Sequence, residues 1–266
     1  MALSHVNLGD DYSLRLCREI AAWRYEDLPA EVVRTLQLLL LDTLGVIGGA
    51  ADAPGIRELN ARLSKWETTG AATGLLGKRR YSPPSAALAN GAAAHALDFD
   101  DQHDPARSHA SCVVVPALLA TAEAAGDVTG RDFLLAFAVG AELVARLGVA
   151  CKSSLAHGWH PTMVFGTLAA GVASAKLLKL DAEGLRNALG MAYHQAGGSA
   201  QSMRDGVLSK RLGPGFATRN AVLSAFLAAD GLTSTIRTLE SNASLFSLFE
   251  RDEVEPEALT EGLGQA

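Results

Sequence analysis

The chain has 266 residues, enough to bury a substantial core as one large domain or two modest ones, and its 23 Lys and Arg against 29 Asp and Glu leave a formal charge of −6. That balance gives no net attraction to nucleic acid or to an anionic membrane, although a local basic pocket is compatible with it. With hydrophobic residues at 48% and charged residues at 20%, disorder over most of the length is excluded.

Residues 1–11 lack the basic-then-apolar order of a signal peptide, and apolar stretches such as residues 38–51, interrupted by Asp42, are expected to fall short of a spanning helix. Cys17, Cys112 and Cys151 lie far apart and none belongs to a C-x-x-C pair. Neither a disulfide framework nor a zinc or iron–sulfur site is indicated, and a reducing, cytoplasmic setting is expected.

An alanine-rich composition with 6% aromatic residues favours helix over sheet. Helices are predicted near residues 11–24, 29–49, 54–66, 83–97, 110–125, 129–148, 163–179, 181–196 and 214–230. In 29–49, Val33, Leu36, Leu40, Leu44 and Ile47 recur at three- and four-residue spacing, which places them on one stripe. Phe133, Phe137, Gly140, Val144 and Leu147 do the same in 129–148, with Thr129 as N-cap. Gly166, Ala170 and Ala173 line one face of 163–179, so that neighbouring backbones can approach and this helix is expected to be central. The helix predicted over 214–230 starts on Pro214, suited to a first helical position, and stops before Gly231. Residues 72–76 are the only strand-like segment, a poor basis for a sheet, so the class is all-α. A single domain over 1–266 is expected, with 245–266 a weakly patterned tail carrying Phe246, Leu248 and Phe249.

The densest polar cluster, Asp98, Asp100, Asp101 and Asp104 followed by Arg107 and His109, comes directly after an apolar helix, where acids oppose the helix dipole. Beside a plain solvated loop, two chemistries fit. Asp100-Asp101-x-x-Asp104 has the form with which all-helical prenyl-diphosphate enzymes hold magnesium, although no second acidic motif follows in residues 163–249. Alternatively His109 and an aspartate form a proton-handling pair, since histidine titrates near working pH and a carboxylate can orient it. His160 is presented by the turn Gly158-Trp159-His160-Pro161-Thr162, as a structural or a catalytic histidine. Lys210 and Arg211 precede the last predicted helix; two cations beside a helix N-terminus suit a carboxylate substrate, the alternative being a solvated basic loop. No phosphate loop, G-x-S-x-G turn or H-E-x-x-H site occurs.

Taken in order, Leu40-Leu41-Asp42-Thr43-Leu44-Gly45, Asn90-Gly91, His95-Ala96-Leu97-Asp98-Phe99-Asp100-Asp101, His109-Ala110-Ser111, the His160 turn and Ser209-Lys210-Arg211-Leu212 resemble the MmgE/PrpD family of 2-methylcitrate dehydratases and cis-aconitate decarboxylases. The resemblance spans most of the chain. It implies a large helical domain whose active site uses an aspartate, two histidines and a lysine, here Asp98, His109, His160 and Lys210. Gln102, Ser111 and Ser209 join Lys210 as expected substrate-binding positions.

The implied chemistry is that of a lyase, dehydratase or decarboxylase, or of an isomerase, on a small di- or tricarboxylate, with no cofactor and no metal. Lys210 binds or polarises a carboxylate while the histidines handle protons. Family chains continue into a smaller α+β lid domain, whereas this chain stops at Ala266, so a homodimer or a separately encoded lid chain is the expected partner. The competing expectation is a non-catalytic helical scaffold or binding module. Departures from the family pattern are Gln102 where threonine is usual, one extra residue before His109, Gly213 in place of a histidine, and Glu240-Ser241-Asn242-Ala243-Ser244 in place of a glycine-containing E-x-G segment.

Overall fold

Small side chains set the packing of this protein, whose computed structural model describes residues 11–264. In chain order the helices are α1 (Tyr12–Ala22), α2 (Ala30–Gly49), α3 (Ile56–Trp66), α4 (Pro83–His95), α5 (Ser111–Ala125), α6 (Gly130–Ala150), α7 (Pro161–Leu177), α8 (Ala182–Gln195), the single turn α9 (Gln201–Arg204) and α10 (Ser209–Ala229). The class is all-α, as expected. A two-stranded antiparallel hairpin, β1 (Ala72–Gly74) and β2 (Arg79–Tyr81), pairs Ala72 with Tyr81. Its second strand escapes the sequence pattern because Arg79 and Arg80 are exposed and only Tyr81 turns inward. Buried Asn90 of α4 holds the hairpin by accepting from Leu75 N–H and donating to the Thr73 carbonyl, both at 2.9 Å.

Helix α7 is the centre: nearly all its residues are buried, and it packs on α5, α6, α8 and α10. α10 in turn lies along α4. At that crossing a Cβ on Gly91 would stand 2.7 Å from Thr218 Oγ1, and one on Gly215 would stand 2.5 Å from the Leu88 carbonyl oxygen. Thr218 Oγ1 donates across the same seam to the Ala87 carbonyl at 2.8 Å. The expected N-cap of α6 is present, Thr129 accepting from Asp132 N–H while the Asp132 carboxylate accepts from Thr129 N–H.

Three expectations are corrected. α10 begins at Ser209, so Pro214 sits inside it rather than at its first position; lacking an N–H, Pro214 leaves the carbonyl of Lys210 without its helical donor. On α2 the predicted stripe is buried at Leu36 and Ile47 but exposed at Leu44, since Thr43 and Val46 share the inward face. By length and composition α2 and α6 are both apolar enough to cross a bilayer, because one Asp42 does not offset the surrounding leucines. α6 is mostly buried inside the domain, whereas α2 leaves Leu38 and Leu41 exposed.

The segment after α10 folds back over the helices. Phe246 is buried, Phe249 stacks on Trp159 with ring centroids 4.4 Å apart, and Leu248 is exposed. The first ten residues and the last two of the predicted tail lie outside the described residues. Two buried carboxyls belong to this segment. Glu240 accepts from Ser13 Oγ at 2.9 Å on α1, and Glu250 lies near His157 with both its oxygens unpartnered. Burial pushes each up to about 7.

Two outcomes are expected. Gly215→Ala forces the α4–α10 seam apart and should cost about 1–3 kcal/mol, read as a lowered Tm with the helical spectrum retained. Glu240 keeps its proton to about pH 7 in the folded chain but loses it near 4.5 when unfolded, so it contributes stability below 4.5 that is lost as pH rises through 7. Glu240→Gln should therefore gain in Tm over the parent between pH 5 and 8; a constant difference across that range would contradict the buried, protonated carboxyl.

Candidate active site

The ends of four helices meet at one place. α4 ends on His95, α5 starts at Ser111, His160 is the N-cap of α7, and Lys210 lies in the first turn of α10. At none of the three N-termini does the N-cap residue itself supply a side-chain hydrogen bond, and at α5 the Asp101 carboxylate meets the first N–H instead. Residues 96–110, between α4 and α5, form an irregular loop without helix. Within it Asp98 adopts φ +51°, a left-handed conformation that aspartate tolerates better than most residues. That turn aims the Asp98 carboxylate at two groups: it pairs directly with the Lys210 ammonium, and its Oδ1 lies 3.6 Å from His95 Nε2.

Asp100 is a buried carboxylate of the loop, its side chain 1% exposed. His95 Nδ1 contacts both its oxygens, at 2.9 and 3.1 Å, and His109 Nδ1 stands 3.2 Å from Oδ2. The His109 contact is poorly aligned, which leaves that buried nitrogen without a satisfying partner. Burial alone would raise the Asp100 carboxyl, but the two imidazoles outweigh it and hold the group well below the usual carboxylate range. Burial likewise opposes a charge on His109, and Asp100 overrides it, pushing the imidazole above its ordinary value. Burial raises Asp101, which accepts from Ser111 N–H at 3.1 Å at the start of α5.

His160 differs from both. It is 4% exposed, its ring sits 6.2 Å from that of His95, and neither of its ring nitrogens has a partner. Burial first, then the neighbouring His95, Lys210 and His109, push it down to about 4. Thr162 Oγ1, one turn into α7, accepts from His109 N–H at 3.1 Å and so ties the α5 and α7 ends together. A cleft of about 450 Å³ opens at the Asp98–Lys210 end of the cluster, lined also by Ser202, Met203, Gly206 and Val207, while the histidines and Asp100 are not part of its lining. Another hollow, of about 300 Å³, is lined by apolar residues such as Trp23, Val32 and Leu36 together with Arg24, Asp27, His103 and Glu142, and contains none of the clustered groups, so the chemistry belongs to the first.

Asp98, His109, His160 and Lys210, spread over the sequence, thus converge. The other expected positions divide. Ser111 is buried with Oγ unpartnered, Ser209 is exposed beside Lys210, and Gln102 donates to Asp104 at 2.7 Å on the exposed loop, turned to its own neighbour. The magnesium arrangement does not form: Asp100 is held by imidazoles, Asp101 by a backbone N–H and Asp104 by Gln102, and no helix aligns the three. Among the described residues, His95, Asp100 and His109 are the group whose ligand atoms lie within 4.8 Å of one another; here those atoms are in contact with each other. Sequence reasoning missed His95 as a site residue and weighed Asp100 only as a magnesium ligand, not as a partner of the histidines. The available signal was their spacing, a histidine ending a helix five residues before a loop carboxylate.

Comparison with known proteins places the chain in one family. The family model of the MmgE/PrpD N-terminal domain matches residues 14–257. A cis-aconitate decarboxylase-like protein, oryM, of Aspergillus oryzae is 34% identical over 94% of this chain and 55% of its own length. The cis-aconitate decarboxylase of Aspergillus terreus is 30% identical over 88% of this chain and 49% of its own, and the human enzyme of that name 33% identical over 84% and 47%. The chain spans about half the length of the curated relatives it matches.

The histidines should titrate apart. By NMR, the His160 ring is expected to protonate near pH 4 and His109 above the ordinary histidine value of 6.5. Coincident midpoints would contradict the environments described.

Proposed function

The chain belongs to the MmgE/PrpD family, and on that premise we propose that its cleft supplies the acid–base groups of a lyase site for a small tricarboxylate of the cis-aconitate kind. The observation that carries this reading is His160: a buried imidazole with both ring nitrogens unpartnered, beside a lysine, is built to meet a ligand. The relatives named cis-aconitate decarboxylase support the substrate class.

Two histidines whose proton affinities are pushed apart divide the work. His160, neutral at neutral pH, has a lone pair with which to take a proton from the carbon next to a carboxylate. His109, raised by Asp100, holds a proton to give. In a dehydration that proton goes to the departing hydroxyl, which leaves as water. In a decarboxylation the carbon keeps the electron pair of the broken bond as carbon dioxide leaves, and the proton completes it. Lys210 and the positive ends of α5, α7 and α10 hold the substrate carboxylates, Asp98 neutralising the ammonium until one arrives. Ser111 and Ser209 flank that position.

This reading invokes no cofactor and no metal. It takes the cytoplasm as the compartment, consistent with three free, buried thiols. It also takes a second copy or a lid-bearing chain as the partner that covers the cleft, where Phe99, Met203 and Val207 are exposed.

The test is turnover of cis-aconitate and citrate-like acids followed by NMR, with and without a lid-bearing partner. His160→Ala should lower kcat about 10²–10⁴-fold with the fold unchanged. Activity should fall as pH drops through about 4, where His160 takes its proton, and again above the raised value of His109. Full activity in His160→Ala would refute the proton-transfer role.

A further inference from the structure

We propose that Asp100 is a positioning residue for this site: it bonds His95 Nδ1, stands 3.2 Å from His109 Nδ1 as the carboxylate that ring turns to, and so fixes which nitrogen of His109, Nε2, is left to meet the ligand. The catalytic consequence rests on the lyase reading above; the geometry does not.

Three observations carry it. Asp100 is a buried side chain that touches two imidazoles through the same ring position, at 2.9 Å for His95 and 3.2 Å for His109. An ionised carboxylate accepts and cannot donate, so the nitrogen facing it carries a proton, and the opposite nitrogen is the one that gives or takes the second proton. The two rings, 4.9 Å apart at 68°, stand edge to face, which lets one carboxylate serve both.

The surroundings offer nothing else to do this. From α4 comes His95, from the loop Asp98 and Asp101, from α5 Cys112, whose thiol turns to the His109 carbonyl at 3.7 Å, from α7 His160 and from α10 Lys210. Asp98 is engaged by Lys210 and Asp101 by Ser111 N–H, so Asp100 alone faces both Nδ1 atoms. The orphaned Nε2 of His95, 3.6 Å from Asp98 Oδ1, extends the contact row from Lys210 through Asp98, His95 and Asp100 to His109. A ligand that draws Lys210 away from Asp98 is thereby felt at the ring that handles the proton. His109 already has its main chain fixed by Thr162, so the carboxylate is what remains to set its ring.

The experiment reads protons on nitrogen directly. Long-range ¹H–¹⁵N spectra of the labelled full chain report the tautomer of each histidine, with His109→Gln and His95→Gln assigning the two rings. In the unaltered chain both should carry a proton on Nδ1. In Asp100→Asn, which keeps the size and removes the charge, His109 should shift toward the Nε2–H form. With cis-aconitate as probe, kcat should fall at least about tenfold while KM stays near the parent value, as for an orienting carboxylate behind a catalytic histidine. His109 lacking a proton on Nδ1 in the unaltered chain, or keeping its tautomer unchanged in Asp100→Asn, overturns the proposal. The first of these needs no variant and holds if Asp100→Asn fails to fold. Expected spectra in a chain that turns over no acid would remove the lyase reading and leave the positioning role standing.

Discussion

Close approach of α4, α7 and α10 is the constraint on which the rest of this structure depends. α10 lies between the other two, and at Gly91 and Gly215 on its seam with α4 a single added carbon would strike Thr218 or the backbone at Leu88, as one on Gly166 of α7 would strike Val113 of α5. Helices packed this tightly have little freedom to slide, because interiors are dense and a displaced seam loses many small contacts together. The ends of the helices are fixed as a result. His95 at the close of one, His160 at the opening of another and Lys210 in the first turn of a third come together because the helices carrying them are fixed.

From that placement the electrostatics follow. A carboxylate in a buried loop is costly unless it is partnered, and Asp100 is partnered by two imidazoles, which keep it ionised and in return hold a proton on His109. His160, a few ångströms away, has no carboxylate against it and stands near cationic neighbours, so the same burial drives it toward the neutral form. One residue type is thereby pushed in two opposite directions within one cluster. The difference lies in which nitrogens face Asp100 and in the positive helix ends nearby.

Much of the fold is legible along the chain. Periodicity of apolar residues marks the helices to within a few positions, Thr129 caps α6 as its type and spacing require, and the small-residue face of 163–179 identifies the central helix. Errors fall where a neighbour overrides local preference. Pro214, a good helix starter, lies inside α10, and the Leu44 position of an otherwise regular stripe faces outward because α2 is covered on one side only. The hairpin strand Arg79–Tyr81 is invisible for a related reason, since its stability comes from Asn90 and from the burial of one tyrosine rather than from strand propensity.

For the site, the sequence by itself determined the helical class, the family and the identity of Asp98, His109, His160 and Lys210 as positions worth joining, because motifs and periods are properties of neighbours along the chain. Only the tertiary structure decided that His95 and Asp100 lie at the centre, that Gln102 turns aside to Asp104, and that one histidine is pushed toward its charged form and another toward its neutral one. Proton affinity and hydrogen-bond partnership depend on what is desolvated and what stands within about 3–4 Å across the fold, and no spacing along the chain encodes those distances.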